Sequence, residues 1–235
     1  MIAASVLVLA ACNMSAGAEE SGEEGAAGQR DFQVGAFERV SLLGSQDVIV
    51  TVGGAPSVRA EGSEKALERL EVRVENGELR IGYRSNGILF GSHGRMTVHV
   101  TVPRLTGASI KGSGDIRIDK VEGGDFDGGI AGSGNMEIGA MRVGTARITV
   151  AGSGNVSAAG TAEETQVSVA GSGDVSAEGL RAKRAKVSVA GSGDVSAFAS
   201  ESAEVSILGS GDVRIAGTTN CTVTKRGSGS VKCGE

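Results

Sequence analysis

From about residue 109 onward, apolar residues occupy every second position in short runs. Val167-Ser168-Val169, Val187-Ser188-Val189 and Val205-Ser206-Ile207 each lead into a Gly-Ser-Gly triplet, and Val175-Ser176-Ala177, Val195-Ser196-Ala197 and Val213-Arg214-Ile215 follow it. A period of two places valine and isoleucine on one face of a strand and Ser, Thr and Arg on the other. Each repeat is therefore predicted to hold two short strands joined by a glycine corner. A second corner, richer in Ala, Gly and Glu, leads to the next repeat.

The triplet begins at Gly112, Gly132, Gly152, Gly171, Gly191, Gly209 and Gly227, every 18 to 20 residues. It is followed by Asp115, Asn135, Asn155, Asp174, Asp194, Asp212 and Ser230, and Gly44-Ser45-Gln46-Asp47 reads as a degenerate copy. Two short strands cannot bury an apolar face alone, but stacked in register at about 4.8 Å they place valine on valine and corner on corner. The expected fold is all-β: a single-stranded parallel β-helix, or β-solenoid. Glycine suits the corner because it permits positive φ and close approach of neighbouring backbones. The central serines are expected to form a hydroxyl ladder. A propeller is disfavoured, since a blade needs about 40 residues and carries aromatic signatures.

Residues 31–108 are less regular. Strand-like runs are Val48–Val52, Leu70–Val74, Leu79–Ile81 and Thr97–Val102. Ser63 has the character of an N-cap for a short helix over 64–69, and Glu75-Asn76-Gly77-Glu78 that of a hairpin turn. An open solenoid end exposes unpaired strand edges, so this region is expected to supply the first rungs and an N-terminal cap. The folded body is assigned to 31–235, with 31–108 as cap and first rungs and 109–235 as the repeats.

Composition sharpens this picture. There are 39 glycines, no Trp, one Tyr, five Phe and two Pro. A core of Val, Ala and Ile fits a narrow β-structure. The net charge of −5, without a long basic stretch, argues against a nucleic-acid partner. Residues 1–11 form an apolar signal segment too short to span a membrane. Its end, Leu9-Ala10-Ala11-Cys12, resembles the bacterial lipobox, which implies acylation of Cys12 and a membrane partner through the lipid anchor. Residues 12–30 carry Glu19, Glu20, Glu23 and Glu24 without apolar periodicity and read as a disordered acidic tether. Export to an oxidising compartment favours a disulfide between Cys221 and Cys233 as a structural staple.

Catalytic chemistry is sparse. The Asp/Asn column is the one repeated polar constellation, and Asp174, Asp194 and Asp212 form its candidate calcium site, since calcium takes six to eight oxygens. Hydrogen bonding of these side chains to backbone N–H groups at the corner is the favoured role, so no metal and no cofactor are assigned. His93 and His99 have no Ser/Asp or Cys arrangement about them. The run Arg181, Lys183, Arg184, Lys186 is a candidate contact for an anionic glycan, but at this spacing it more often marks a solvated face. No catalytic residues are assigned.

Beyond these readings, the chain resembles the bacterial family of auto-transporter adhesins with a head GIN domain. Phe37-Glu38-Arg39-Val40, Asp47-Val48-Ile49-Val50, Glu78-Leu79-Arg80-Ile81, Val100-Thr101-Val102-Pro103-Arg104-Leu105 and the train of Gly-Ser-Gly-Asp/Asn motifs carry the resemblance over 34–232. It implies a right-handed β-helix at an exported or surface location. The functional expectation is a lipid-anchored envelope protein acting as a non-enzymatic adhesion module for a cell-surface glycan or envelope protein. A structural spacer is the alternative, and a polysaccharide-active enzyme ranks third.

Overall fold

A computed structural model describes residues 27–84 and 96–234. The lipobox, nearly all of the tether and His93 lie outside the described residues. In chain order the elements are β1 (Ala27–Phe32), β2 (Arg39–Leu43), β3 (Asp47–Val52), β4 (Ser57–Ser63), α1 (Glu64–Arg69), β5 (Leu70–Glu75), β6 (Glu78–Tyr83), β7 (Thr97–Val102), β8 (Gly107–Gly112) and β9 (Ile116–Gly123). Then come β10 (Phe126–Gly132), β11 (Met136–Gly152), β12 (Val156–Gly171), β13 (Val175–Gly191), β14 (Val195–Gly209), β15 (Val213–Ala216), β16 (Cys221–Gly227) and β17 (Val231–Cys233). From β8 upward every strand pairing is parallel, in register along the first face and shifted where β11 to β14 bend. The result is a β-solenoid of about six turns.

Each turn has three sides rather than two. β11 runs for 17 residues through the position where the sequence places a second corner. Its buried residues are Met136 and Ile138, then Met141 and Val143, then Ala146, Ile148 and Val150. Between these groups two consecutive residues face outward. That slip of one residue in the alternation keeps the next apolar side chain pointing inward as the strand bends. β13 repeats the device between Ala177 and Leu180 and between Ala182 and Ala185. The first face ends at each Gly-Ser-Gly, the second begins after the Asp or Asn, and the third links the second back to the first.

The N-terminal region is continuous with the stack, but not in chain order. β2 and β3 form a layer whose corner is the degenerate Gly44 copy, directly beneath the Gly112 corner: Ser113 and Gly114 N–H both donate to Gly44 O at 3.1 and 3.0 Å. The chain then leaves through β4, α1 and β5, returns as β6 beneath β2 and β7 beneath β3, and only afterwards climbs to β8 above β2. Antiparallel strands close this end, β5 on β6 and β4 on β7, with β1 on β4. Ser63 caps α1 by accepting from Ala66 N–H, and Asn76 and Gly77 take positive φ in the β5–β6 hairpin. Leu42, Leu70, Leu79, Ile81 and Phe126 fill the lower layers, whereas Val and Ala dominate above β12.

At the other end, Cys221 sits in the register of buried Ala203 and Cys233 in that of buried Ile215. They are joined as a disulfide, Cα–Cα 6.6 Å, that crosses the interior from the first face to the second.

Candidate functional site

The Gly-Ser-Gly corner and the residue after it organise the second face. At the corners from Gly44 to Gly191 the first glycine's carbonyl accepts two N–H groups from the layer above. Gly171 O, for example, takes Ser192 N–H at 2.9 Å and Gly193 N–H at 3.3 Å. In return, the N–H after each Asp or Asn donates to the carbonyl of the Asp or Asn one layer up, as Val195 N does to Asp212 O at 2.9 Å. The corner is thus pinned in both directions by backbone alone. The central serines align as an exposed row, but no hydroxyl-to-hydroxyl bond joins them among the described residues. This corrects the expected hydroxyl ladder.

The Asp/Asn column does form a ladder, and its geometry assigns the side chains a role. Asp194 N–H donates to Asp174 Oδ1, Asp212 N–H to Asp194 Oδ1 and Ser230 N–H to Asp212 Oδ1, each at 2.8 Å. Asp174 N–H donates to Asn155 Oδ1 at 3.0 Å and Asn135 N–H to Asp115 Oδ1 at 2.7 Å. The acceptor lies one full turn back along the chain rather than within its own corner, so these bonds tie layers together. The two asparagines separate Asp115 from Asp174 and add a second bond, Asn155 Nδ2 to Asn135 Oδ1 at 3.0 Å and Asn135 Nδ2 to Asp115 Oδ1 at 3.0 Å. Each aspartate uses Oδ1 in this ladder, and its Oδ2 makes no bond in it. Hydrogen bonds from Ser230 N–H and hydroxyl hold the Asp212 carboxyl below its usual range, helped by Lys232 and Lys225. Among the described residues, no three His, Cys, Asp or Glu converge as a metal site, at Asp174, Asp194 and Asp212 or elsewhere.

Beside this ladder runs a shallow groove. One stretch of about 580 Å³ is lined by Asp47, Asp115, Arg117, Asn135, Glu137, Asn155, Ser157, Asp174 and Ser176. A second of about 390 Å³ continues from Asp174 and Ser176 past Asp194, Ser196, Asp212 and Arg214 to Ser230 and Lys232. The two share residues and together follow the second face from the lowest corner to the last layer. In the middle, a column of Asn155, Asp174 and Asp194 lies beside a column of Ser157, Ser176 and Ser196, because residues two apart on a strand share a face. Below this stretch, Arg117 Nε pairs with Glu137 Oε2 at 2.8 Å across two layers. Sequence reasoning found the Asp/Asn column but missed the serine column as its companion. The signal was available in the Asp-Val-Ser and Asn-Val-Ser triplets.

The remaining candidates are dispersed. His99 lies on β7 with Nε2 3.9 Å from Glu61. The basic run is largely neutralised: Lys183 pairs with Glu163 at 2.6 Å, Arg184 with Glu164 at 3.4 Å and Lys186 with Glu204 at 3.2 Å. Arg181 stacks over Phe198 at 4.7 Å.

A lengthwise polar groove on a three-sided parallel β-solenoid defines the class: a stacked-repeat scaffold presenting one extended surface. The chain belongs to the family described as "Putative auto-transporter adhesin, head GIN domain", whose model matches residues 36–219. Solved structures share the architecture. A "putative adhesin" from Bacteroides fragilis is 25% identical with a TM-score of 0.82, over 88% of this chain and 97% of that one. A "putative lipid binding protein" from Parabacteroides distasonis is 24% identical with a TM-score of 0.71, over 90% and 98%. A "putative adhesin" from Parabacteroides merdae is 16% identical with a TM-score of 0.72, over 90% and 97%. No curated protein sequence matches significantly.

Proposed function

We propose that this chain is a non-enzymatic adhesion module of the bacterial envelope that binds an extended polymer, a cell-surface glycan or an envelope protein, along its second face. The observation that carries the reading is the groove from Asp47 to Lys232, whose middle three layers each repeat an Asp or Asn beside a Ser. Carboxylate oxygens accept, and serine hydroxyls both donate and accept, so the surface matches a chain of hydroxyls or amides at a regular spacing. Each contact is weak, and repetition supplies the affinity. Acid–base catalysis needs convergent groups with distinct roles. The middle of the groove instead repeats one Asp/Asn–Ser pair, and below it Arg117 and Glu137 are paired with each other, which favours binding over turnover. Membership in an adhesin family supports an envelope or surface location. An acylated Cys12 followed by an acidic tether would hold the solenoid off the membrane and add avidity.

The test uses the full chain in a paired screen: binding to glycans and envelope extracts against a polysaccharide-degradation panel, with and without calcium. Ser176→Arg with Ser196→Arg should weaken binding at least about tenfold, equivalent to 1.4 kcal/mol, and leave melting unchanged. Turnover that disappears in Asp174→Ala or Asp194→Ala would replace the adhesion reading with an enzyme. Failure to bind in any arm would leave a structural spacer. Anchoring is read separately: labelled palmitate should enter the wild type and not Cys12→Ala, and an unlabelled wild type removes the anchor.

A further inference from the structure

A second cleft lies away from the ladder, at the bend leading into the first face near the N-terminal end. It is an open depression of about 370 Å³. Four chain segments form it, and hydrogen bonds to backbone carbonyls hold three of them together. Thr106 N–H and hydroxyl both donate to Glu38 O at 2.8 and 3.1 Å, while Glu38 and Arg39 N–H donate to Gly77 O at 3.0 and 3.3 Å. The cleft is therefore preformed. Both prolines of the chain, Pro56 and Pro103, line it together with Ala36 and Phe37. A proline wall is apolar and carries no backbone donor that would need a partner.

Two guanidiniums border this apolar lining, and each rests on a glycine. Arg39 crosses Gly107 to reach Asp127 at 3.4 Å, and a Cβ on Gly107 would lie 2.9 Å from Arg39 Cζ. Arg104 lies over Gly123 and Gly124, where a Cβ on Gly124 would come within 3.2 Å of Nη2. Arg39 is engaged by its carboxylate. Arg104 has no hydrogen-bond or ion-pair partner among the described residues. Glu38 is the one carboxylate in the lining; with Arg39 neutralised by Asp127, Arg104 is the cation of the lining left without an anionic partner.

We propose that this cleft binds a small amphiphilic monoanion: a carboxylate with an aliphatic or aromatic body. The carboxylate pairs with the planar fork of Arg104, and the body lies against Pro56, Pro103 and Ala36. One unpaired guanidinium offers a partner to one negative charge, and Glu38 disfavours a dianion. The volume is at the low end of small-molecule sites, which suits a free single-chain acid rather than a diacyl lipid. This site is separate from the groove of the second face and does not depend on it.

Octanoate and octan-1-ol share a body and differ in charge, so they are the probes, titrated against the full chain by calorimetry and by amide chemical shifts. Octanoate should saturate the cleft at millimolar concentration or below, and octan-1-ol should bind at least about tenfold more weakly. Arg104→Gln should cost octanoate about tenfold, and Gly124→Val, which displaces the guanidinium, should reproduce that loss. Glu38→Gln should strengthen binding about two- to fivefold by removing a like charge. Arg104→Gln and Glu38→Gln should leave melting unchanged. Equal binding of the two probes, no saturation by octanoate, or identical affinity in wild type, Arg104→Gln and Glu38→Gln would overturn the proposal.

Discussion

Changing Gly193 to alanine separates close packing from backbone strain at the corner. Gly193 has no positive φ, so its backbone is open to any residue. The obstacle is the layer beneath: an added methyl would overlap the Gly173 carbonyl oxygen and lie 3.0 Å from Val169 Cγ1. Relief requires the two layers to part locally by about 1 Å, since carbon and oxygen prefer roughly van der Waals separation. That displacement stretches three bonds: Ser192 N to Gly171 O at 2.9 Å, Gly193 N to Gly171 O at 3.3 Å and Asp194 N to Asp174 Oδ1 at 2.8 Å. At about 0.5–1.5 kcal/mol each, with about 1–3 kcal/mol for overpacking, the expected loss is about 3 kcal/mol or more. Gly129→Ala is the control. Its nearest neighbour is Ser109 Cβ at 4.0 Å, and it too has no positive φ. There the loss of chain entropy in the unfolded state should stabilise by about 0.4–1 kcal/mol. With no tryptophan in the chain, urea unfolding is followed by far-UV circular dichroism. A Gly193→Ala protein within about 0.5 kcal/mol of wild type, or a Gly129→Ala protein equally damaged, would refute the stacking argument.

Thr165 occupies an interior position held by Ala146 and Ala185 in adjacent layers, and its buried hydroxyl has no partner. Thr165→Val should therefore stabilise by about 1–2 kcal/mol in the same assay, and a loss of stability would show that the hydroxyl is satisfied. Cys221→Ser with Cys233→Ser should release the last layer, so hydrogen exchange should rise in β16 and β17 and stay unchanged in β11 to β13, with a cost of about 2–3 kcal/mol. Uniform acceleration, or none, would argue against a local staple. The Asp212 carboxyl is held below its usual value, so its contribution is complete above the unfolded-state pKa and is lost as pH falls through the lower folded value. Exchange at Ser230 should consequently rise below about pH 4. Asp212→Asn keeps an acceptor oxygen, as Asn155 does for Asp174, and should flatten that pH response.

Much of this protein follows from the chain read alone. The alternation of Val and Ile with Ser fixes which side chains face inward, because a strand has only two faces and water rewards one choice. Recurrence of the Gly-Ser-Gly corner every 18 to 20 residues implies stacking, because one turn cannot bury its apolar face without neighbours. The degenerate corner at Gly44 was legible for the same reason. Its Gln46 stands where later corners have glycine, and each of those glycines rests on the carbonyl of the corner below, as Gly114 does on Gln46.

Other features were decided only by tertiary contacts. The third side of each turn is encoded by a one-residue slip in the alternation, which looks like a lapse in pattern until the strand is seen to bend there. The order of the lowest layers was hidden as well. Leu79–Ile81 and Thr97–Val102 read as strands, but nothing local says that β6 and β7 lie beneath β2 and β3, which precede them in the chain. The cleft at Arg104 shares this origin, since Ala36, Pro56, Gly77 and Pro103 meet only after that reversal. Alternation reports which face of a strand is buried. It carries no information about which strand lies next to it, because any apolar row in register satisfies the same requirement, and the choice of neighbour is made by the fit of the assembled layers.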